Sequence, residues 1–163
     1  MSRVVAAFDF DGTLTTRDSL LPFVASVVGW PKVGRAFTSS APQFARRDRD
    51  AAKEKFLAAA VGGMSYDALR AAGASFARSI VITPEMQQRV QWHQREGHDI
   101  VIVSASLDVY LVDAASRIGI TDVLCSSLEV DDGRVTGRLV GGNCRGPVLR
   151  VPWCPGRKPP RRA

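Results

Sequence analysis

Histidine and cysteine are scarce in this chain, at two and three residues, and no uninterrupted apolar run reaches the ~18 residues of a membrane-spanning helix. No transmembrane segment is therefore expected. Cys125, Cys144 and Cys154 are odd in number and lack metal-ligand spacing, which excludes a disulfide framework and reads as free thiols in a reducing compartment. Met1-Ser2-Arg3 runs straight into an apolar segment, so no secretion signal is expected and the expected location is cytoplasmic. Acidic residues stop at Asp132. Residues 1–144 carry 16 basic and 16 acidic side chains, so the whole net charge of +6 lies in residues 145–163, on Arg145, Arg150, Arg157, Lys158, Arg161 and Arg162. That distribution argues against a basic nucleic-acid platform. Residues 147–163, with five prolines and no period, read as a solvated disordered tail, contact with a polyanion being the alternative.

What is present is concentrated at the start. Val4-Val5-Ala6-Ala7-Phe8 reads as a buried strand and leads into Asp9-Phe10-Asp11-Gly12-Thr13-Leu14-Thr15. Side chains alternate along a strand, so Asp9 and Asp11 face one side and Phe8 and Phe10 the other. Two like charges so close call for a neutralising cation, and an all-oxygen donor set suits Mg²⁺.

Residues 19–79 lack a clear strand. Apolar residues at 19–30 and helical patterns at 43–61 and 66–79, parted by Gly62-Gly63, read as an inserted helical unit. Thr83-Pro84-Glu85 opens a helix to about Arg95. Ile100-Val101-Ile102-Val103 fits a central parallel strand covered on both faces, with Ser104-Ala105-Ser106 at its carboxyl end. A helix from Asp108 to Ile118, a strand at Val123-Leu124-Cys125 and a hairpin turning at Asp131-Asp132-Gly133 complete an α/β pattern. In such sheets ligands gather at strand carboxyl ends, where Asp9, Asp11 and Ser104 all fall.

Phe8-Asp9-Phe10-Asp11-Gly12-Thr13-Leu14-Thr15 resembles the first motif of the haloacid dehalogenase-like hydrolase superfamily, and the strand ending in Ser104 resembles its second. The helical insertion resembles the cap of the phosphoserine-phosphatase-like subfamily, and Gly142-Asn143-Cys144-Arg145-Gly146 a stretch leading into the third motif. The resemblance implies a Rossmann-like core of residues 1–18 and 80–146 around a parallel sheet, with a cap at 19–79. It implies a Mg²⁺-dependent phosphomonoesterase acting on a small phosphorylated substrate. Asp9 would attack phosphorus and Asp11 would act as acid and base. The metal would be held by the Asp9 side chain, the Asp11 carbonyl and a later carboxylate. Gly12, Thr13, Ser104 and Ala105 would hold phosphate oxygens.

Asp18 stands where phosphoserine-cleaving relatives carry an acid that reads the substrate amine. Those relatives also carry a cap arginine for the substrate carboxylate. Residues 53–61 offer Lys53 and Lys55 but no arginine, which argues against phosphoserine, while the apolar face of residues 20–30 suits a larger or lipid-like phosphoester.

Two family pieces are not found. Val148, Leu149 and Arg150 stand where a lysine should follow Gly146, leaving Arg150 or Lys158 as substitutes, and no Gly-Asp-x-x-x-Asp segment occurs. The core is thus expected to be incomplete at its C-terminus, with a frameshift near codon 147 as the suggested origin and impaired activity as the consequence. Plainer readings stand alongside: a catalytically inactive remnant that binds phosphate or a partner, Ser104 as a helix cap, Asp131-Asp132 as turn chemistry, and His93 and His98 as surface residues.

Overall fold

The computed structural model describes residues 4–45 and 48–144. Three parallel strands form the sheet in the order β1 (Val5–Phe8), β2 (Asp99–Leu107), β3 (Asp122–Ser126). Phe8 lies opposite Ile102, and Ile102 opposite Val123. The continuous apolar run of β2 thus occupies the middle position expected of it. β1 differs from the expected buried strand. Ala6 and Phe8 point into the core, whereas Val5 is 44% exposed. Among the described residues β1 pairs on one side only, and this edge position explains the half-burial.

Between β1 and β2 come α1 (Leu20–Val28), α2 (Trp30–Ala45), α3 (Arg49–Val61), α4 (Tyr66–Ala77) and α5 (Pro84–Arg95). The last has Pro84 in its first turn, where the missing N–H costs nothing. Helix α2 was not expected from the sequence. Pro42 lies inside α2 and costs it one backbone hydrogen bond there. Helix α6 (Asp108–Ser116) joins β2 to β3, and a hairpin follows of β4 (Leu128–Asp131) and β5 (Arg134–Leu139). Its loop residues Asp132 and Gly133 have φ of 44° and 70°, both left-handed, as a two-residue type I′ turn requires.

One buried cluster joins the helices of the insertion to the sheet. The rings of Phe23 on α1, Phe76 on α4 and Tyr110 on α6 meet at centroid distances of 4.9–5.5 Å. Gly73 lets α4 approach α6 so closely that a Cβ there would lie 2.0 Å from the Val109 carbonyl oxygen. Cys125 and Cys144 are free thiols, and burial pushes Cys125 up to about 12; Cys154 lies outside the described residues. No described helix is long and apolar enough to cross a membrane. His93 and His98 are half-buried, not simply on the surface, with their Nδ1 atoms 2.9 Å apart.

Candidate functional site

The site begins where β1 ends. Phe8 and Phe10 anchor the chain inward, which leaves Asp9 exposed and Asp11 half-buried on the opposite side. Residues Phe10–Leu14 then form a wide turn closed by the Thr15 amide, which donates to the Phe10 carbonyl at 3.0 Å. Gly12 makes this turn possible. Its φ is +77°, and since an added Cβ would meet nothing within 4 Å, the requirement is conformational, not spatial.

The two carboxylates have different surroundings. Asp9 accepts from the Phe10 amide at 2.8 Å and from the Thr13 hydroxyl at 3.4 Å, and it remains open to solvent. Asp11 accepts from the Ser19 amide at 2.9 Å and from the Ser106 hydroxyl. The Ser19 hydroxyl lies 3.3 Å from that of Ser106 and 3.0 Å from that of Tyr110, so a buried chain of hydroxyls stands behind Asp11. Burial raises the Asp11 carboxyl above its ordinary value. The Ser106 and Ser19 hydrogen bonds offset part of this, and repulsion from Asp18 adds to it.

The end of β2 supplies the facing wall. Ser104 and Ser106 are both buried, and the Ser106 amide donates to the Ser104 hydroxyl oxygen at 3.0 Å. The strand continues through these residues to Leu107, beyond the expected end at Val103, with an irregular register between Val103 and Leu107. Helix α3 crosses over this wall. The Lys53 ammonium donates to the Ala105 carbonyl, and to Asn143 Oδ1 at 2.8 Å. Asn143 is 4% exposed, donates to Asp50 at 3.0 Å, and accepts from the Ser126 hydroxyl at 2.8 Å. On the next turn Glu54 accepts from the Leu139 amide at 2.8 Å.

Between these walls lies a cavity of about 280 Å³. Asp11, Asp18, Lys53, Ala105 and Ser106 line it, together with Arg49 and an apolar side. The structure thus brings Asp11, Asp18 and Ala105 to one space. Asp9, Gly12 and Thr13 are exposed on the adjoining loop, and Ser104 sits beneath the Ser106 amide. One Asp18 oxygen accepts from the Leu20 amide at 2.9 Å at the start of α1.

Ser19, Arg49 and Ser106 had no site role in the sequence reading, which named Lys53 only among the cations of the cap and Asn143 only within the stretch leading into the third motif. Residues 53–61 indeed hold no arginine, but Arg49, four residues before Lys53 and one helical turn away, lines the same cavity. That spacing was the available signal, together with the repeat of serine at positions 104 and 106. Arg145, Arg150, Lys158 and the tail at 147–163 lie outside the described residues.

Among the described residues no cluster of three or more His, Cys, Asp or Glu side chains is placed to hold a metal ion. The donors still fit Mg²⁺, which uses one or two carboxylates and completes its shell with water and substrate phosphate. The exposed Asp9 carboxylate and the Asp11 backbone are hard oxygen donors of this kind.

A strand-end Asp-x-Asp-Gly-Thr loop, facing a second strand end beneath a helical insertion, defines a hydrolase of the haloacid dehalogenase type. The haloacid dehalogenase-like hydrolase family matches residues 6–158, and this chain belongs to it. The match runs past Gly146, where the motif-by-motif resemblance ends.

Protein CicA of Caulobacter vibrioides is 32% identical over 151 residues, which cover 87% of this chain and 67% of that protein. Among solved structures, a protein of unknown function from Bordetella pertussis Tohama I matches with a TM-score of 0.71 at 25% identity, covering 88% of this chain and 69% of the other. A phospho-aspartyl intermediate analogue of phosphoserine phosphatase shares the fold with a TM-score of 0.60 at 16% identity, over 85% of this chain and 63% of that one.

Proposed function

We propose that this chain is built to hydrolyse phosphomonoesters through an aspartyl-phosphate, with Asp9 as nucleophile and Asp11 as the proton carrier. The observation that carries the reading is the contrast between the two carboxylates. Asp9 is exposed on the loop. Asp11 is half-buried, raised by desolvation, and aimed by Ser19 and Ser106 at the edge of the cavity. Carboxylates in unlike environments take unlike roles.

In the first step an Asp9 oxygen bonds to phosphorus as the bond to the ester oxygen breaks. Asp11, protonated, gives its proton to that leaving oxygen. In the second step the ionised Asp11 takes a proton from a water molecule. The resulting hydroxide attacks phosphorus and releases phosphate and the Asp9 carboxylate. In this reading the Ala105 amide, the Gly12–Thr13 amides and the Ser104 hydroxyl, which also accepts from the Ser106 amide, hold the phosphoryl oxygens, where fixed donors stabilise developing charge. Lys53 places a cation at the same end of the cavity. Mg²⁺, held by the Asp9 side chain and the Asp11 carbonyl, supplies further positive charge against those oxygens when bound.

The test is a leaving-group comparison in Mg²⁺ buffer. Asp11→Asn should cost about 10²–10⁴-fold on an alkyl phosphate, whose alkoxide needs a proton. It should cost much less on p-nitrophenyl phosphate, whose phenolate does not. Equal losses on both substrates remove Asp11 from the role of acid.

A further inference from the structure

The geometry points to a substrate class for this cavity: phosphomonoesters whose organic part is a single aromatic ring or short alkyl chain. The inference rests on the phosphomonoesterase reading of the same site. One part of the lining, from the strand ends and α3, is polar: Asp11, Lys53, Ser106 and Asn143. The other part is contributed by three successive helices of the insertion. Leu20 and Leu21 come from the first turn of α1, Phe37 from α2 and Phe56 from α3.

These four side chains share no sequence motif, yet the fold brings them to the same cavity as Asp11. Phe56 is 3% exposed and fixed in the core, while Phe37 remains 48% exposed. A ligand's apolar group seated in the cavity would bury part of that exposed phenyl surface.

Asp18, one of whose oxygens caps α1 through the Leu20 amide at 2.9 Å, and Arg49 also line the cavity; these are the charges an amino-acid phosphate would use, and the titration below sets them against the apolar wall. The volume, about 280 Å³, admits one ring or a short chain with its phosphate.

The test uses the full chain with Mg²⁺ and non-hydrolysable phosphonates in titration calorimetry. Methyl-, propyl-, hexyl- and phenylphosphonate form the series, 2-amino-4-phosphonobutyrate stands for phosphoserine, and vesicles containing phosphatidic acid present the same headgroup on a bilayer. Each buried methylene should tighten binding about fourfold, so propylphosphonate should exceed methylphosphonate by about fifteenfold. Phe37→Ser should remove most of that increment, and Phe37→Leu should retain it.

Affinity independent of chain length, or tightest for the amino-acid phosphonate, overturns the substrate class and leaves the phosphate site intact. Preference for the vesicles overturns it in favour of a membrane lipid. Absence of binding by every phosphonate and by inorganic phosphate overturns the phosphomonoesterase reading together with this one.

Discussion

Truncating Asn143 to alanine should loosen the helix that roofs the cavity. The Asn143 side chain makes three hydrogen bonds from a position 4% exposed: to Asp50 at 3.0 Å, from Lys53 at 2.8 Å and from Ser126 at 2.8 Å. Two of the partners are charged. Hydrogen bonds to charged groups contribute about 1.5–3 kcal/mol each and neutral ones about 1 kcal/mol, a gross sum near 5 kcal/mol. The net loss is smaller, because Asp50 is exposed and regains water, and Lys53 keeps the Ala105 carbonyl. We expect about 3 kcal/mol for Asn143→Ala, which in a chain of this size lowers Tm by about 6–12 °C.

Urea and thermal unfolding of wild type, Asn143→Ala, Asp50→Ala and the double variant measure this. The cycle should show a coupling of about 1 kcal/mol or more between residues 50 and 143. A loss under about 0.5 kcal/mol with strict additivity would refute the reasoning, since the cap would then not be latched through Asn143.

Three other outcomes follow from the packing and charges. Gly137→Ala should destabilise by about 2–4 kcal/mol in urea unfolding, because its φ is +90° and a Cβ would lie 2.2 Å from the Ala58 Cα. Asp11→Asn should raise stability at pH 7. The folded-state carboxyl is raised above its ordinary 3.8, so wild type loses stability as pH rises from there through the raised value, and the variant escapes that penalty; the advantage should vanish near pH 3 in a pH series of melts. Ser104→Ala should lower kcat about 10²–10³-fold, while costing only about 1–3 kcal/mol of stability in urea unfolding through loss of the Ser106 amide's acceptor; a stability loss with kcat unchanged would make Ser104 a mere structural cap.

Much of this architecture is written in local chemistry. The Asp9–Thr13 loop, Pro84 opening α5, and Asp132-Gly133 in the hairpin each follow from the backbone needs of two or three residues. The apolar run of β2 placed that strand in the middle of the sheet. Helix α2 is less legible because Gly34 and Pro42, both poor helix formers, lie inside it. Strand β1 read as buried because periodicity reports apolar content and not which neighbours are present.

The least legible features join residues far apart in the chain. Ser106 meets Asp11 across 95 positions, Lys53 meets Ala105 across 52, and Asn143 meets Asp50 across 93. No local pattern marks such partners. Lys53 is one of two lysines on α3 until that helix is laid over the strand ends.

The central claim is that Asp9 carries the phosphoryl group, and the most direct test is to trap it there. Wild-type protein is mixed with ³²P-labelled aryl phosphate and Mg²⁺, quenched in acid, and mapped by proteolysis and mass spectrometry. The expected result is a hydroxylamine-sensitive label on the peptide containing Asp9, absent from Asp9→Asn, whose turnover should fall on the order of 10⁴-fold or more. Undiminished turnover in Asp9→Asn, or a label on another residue, would contradict it.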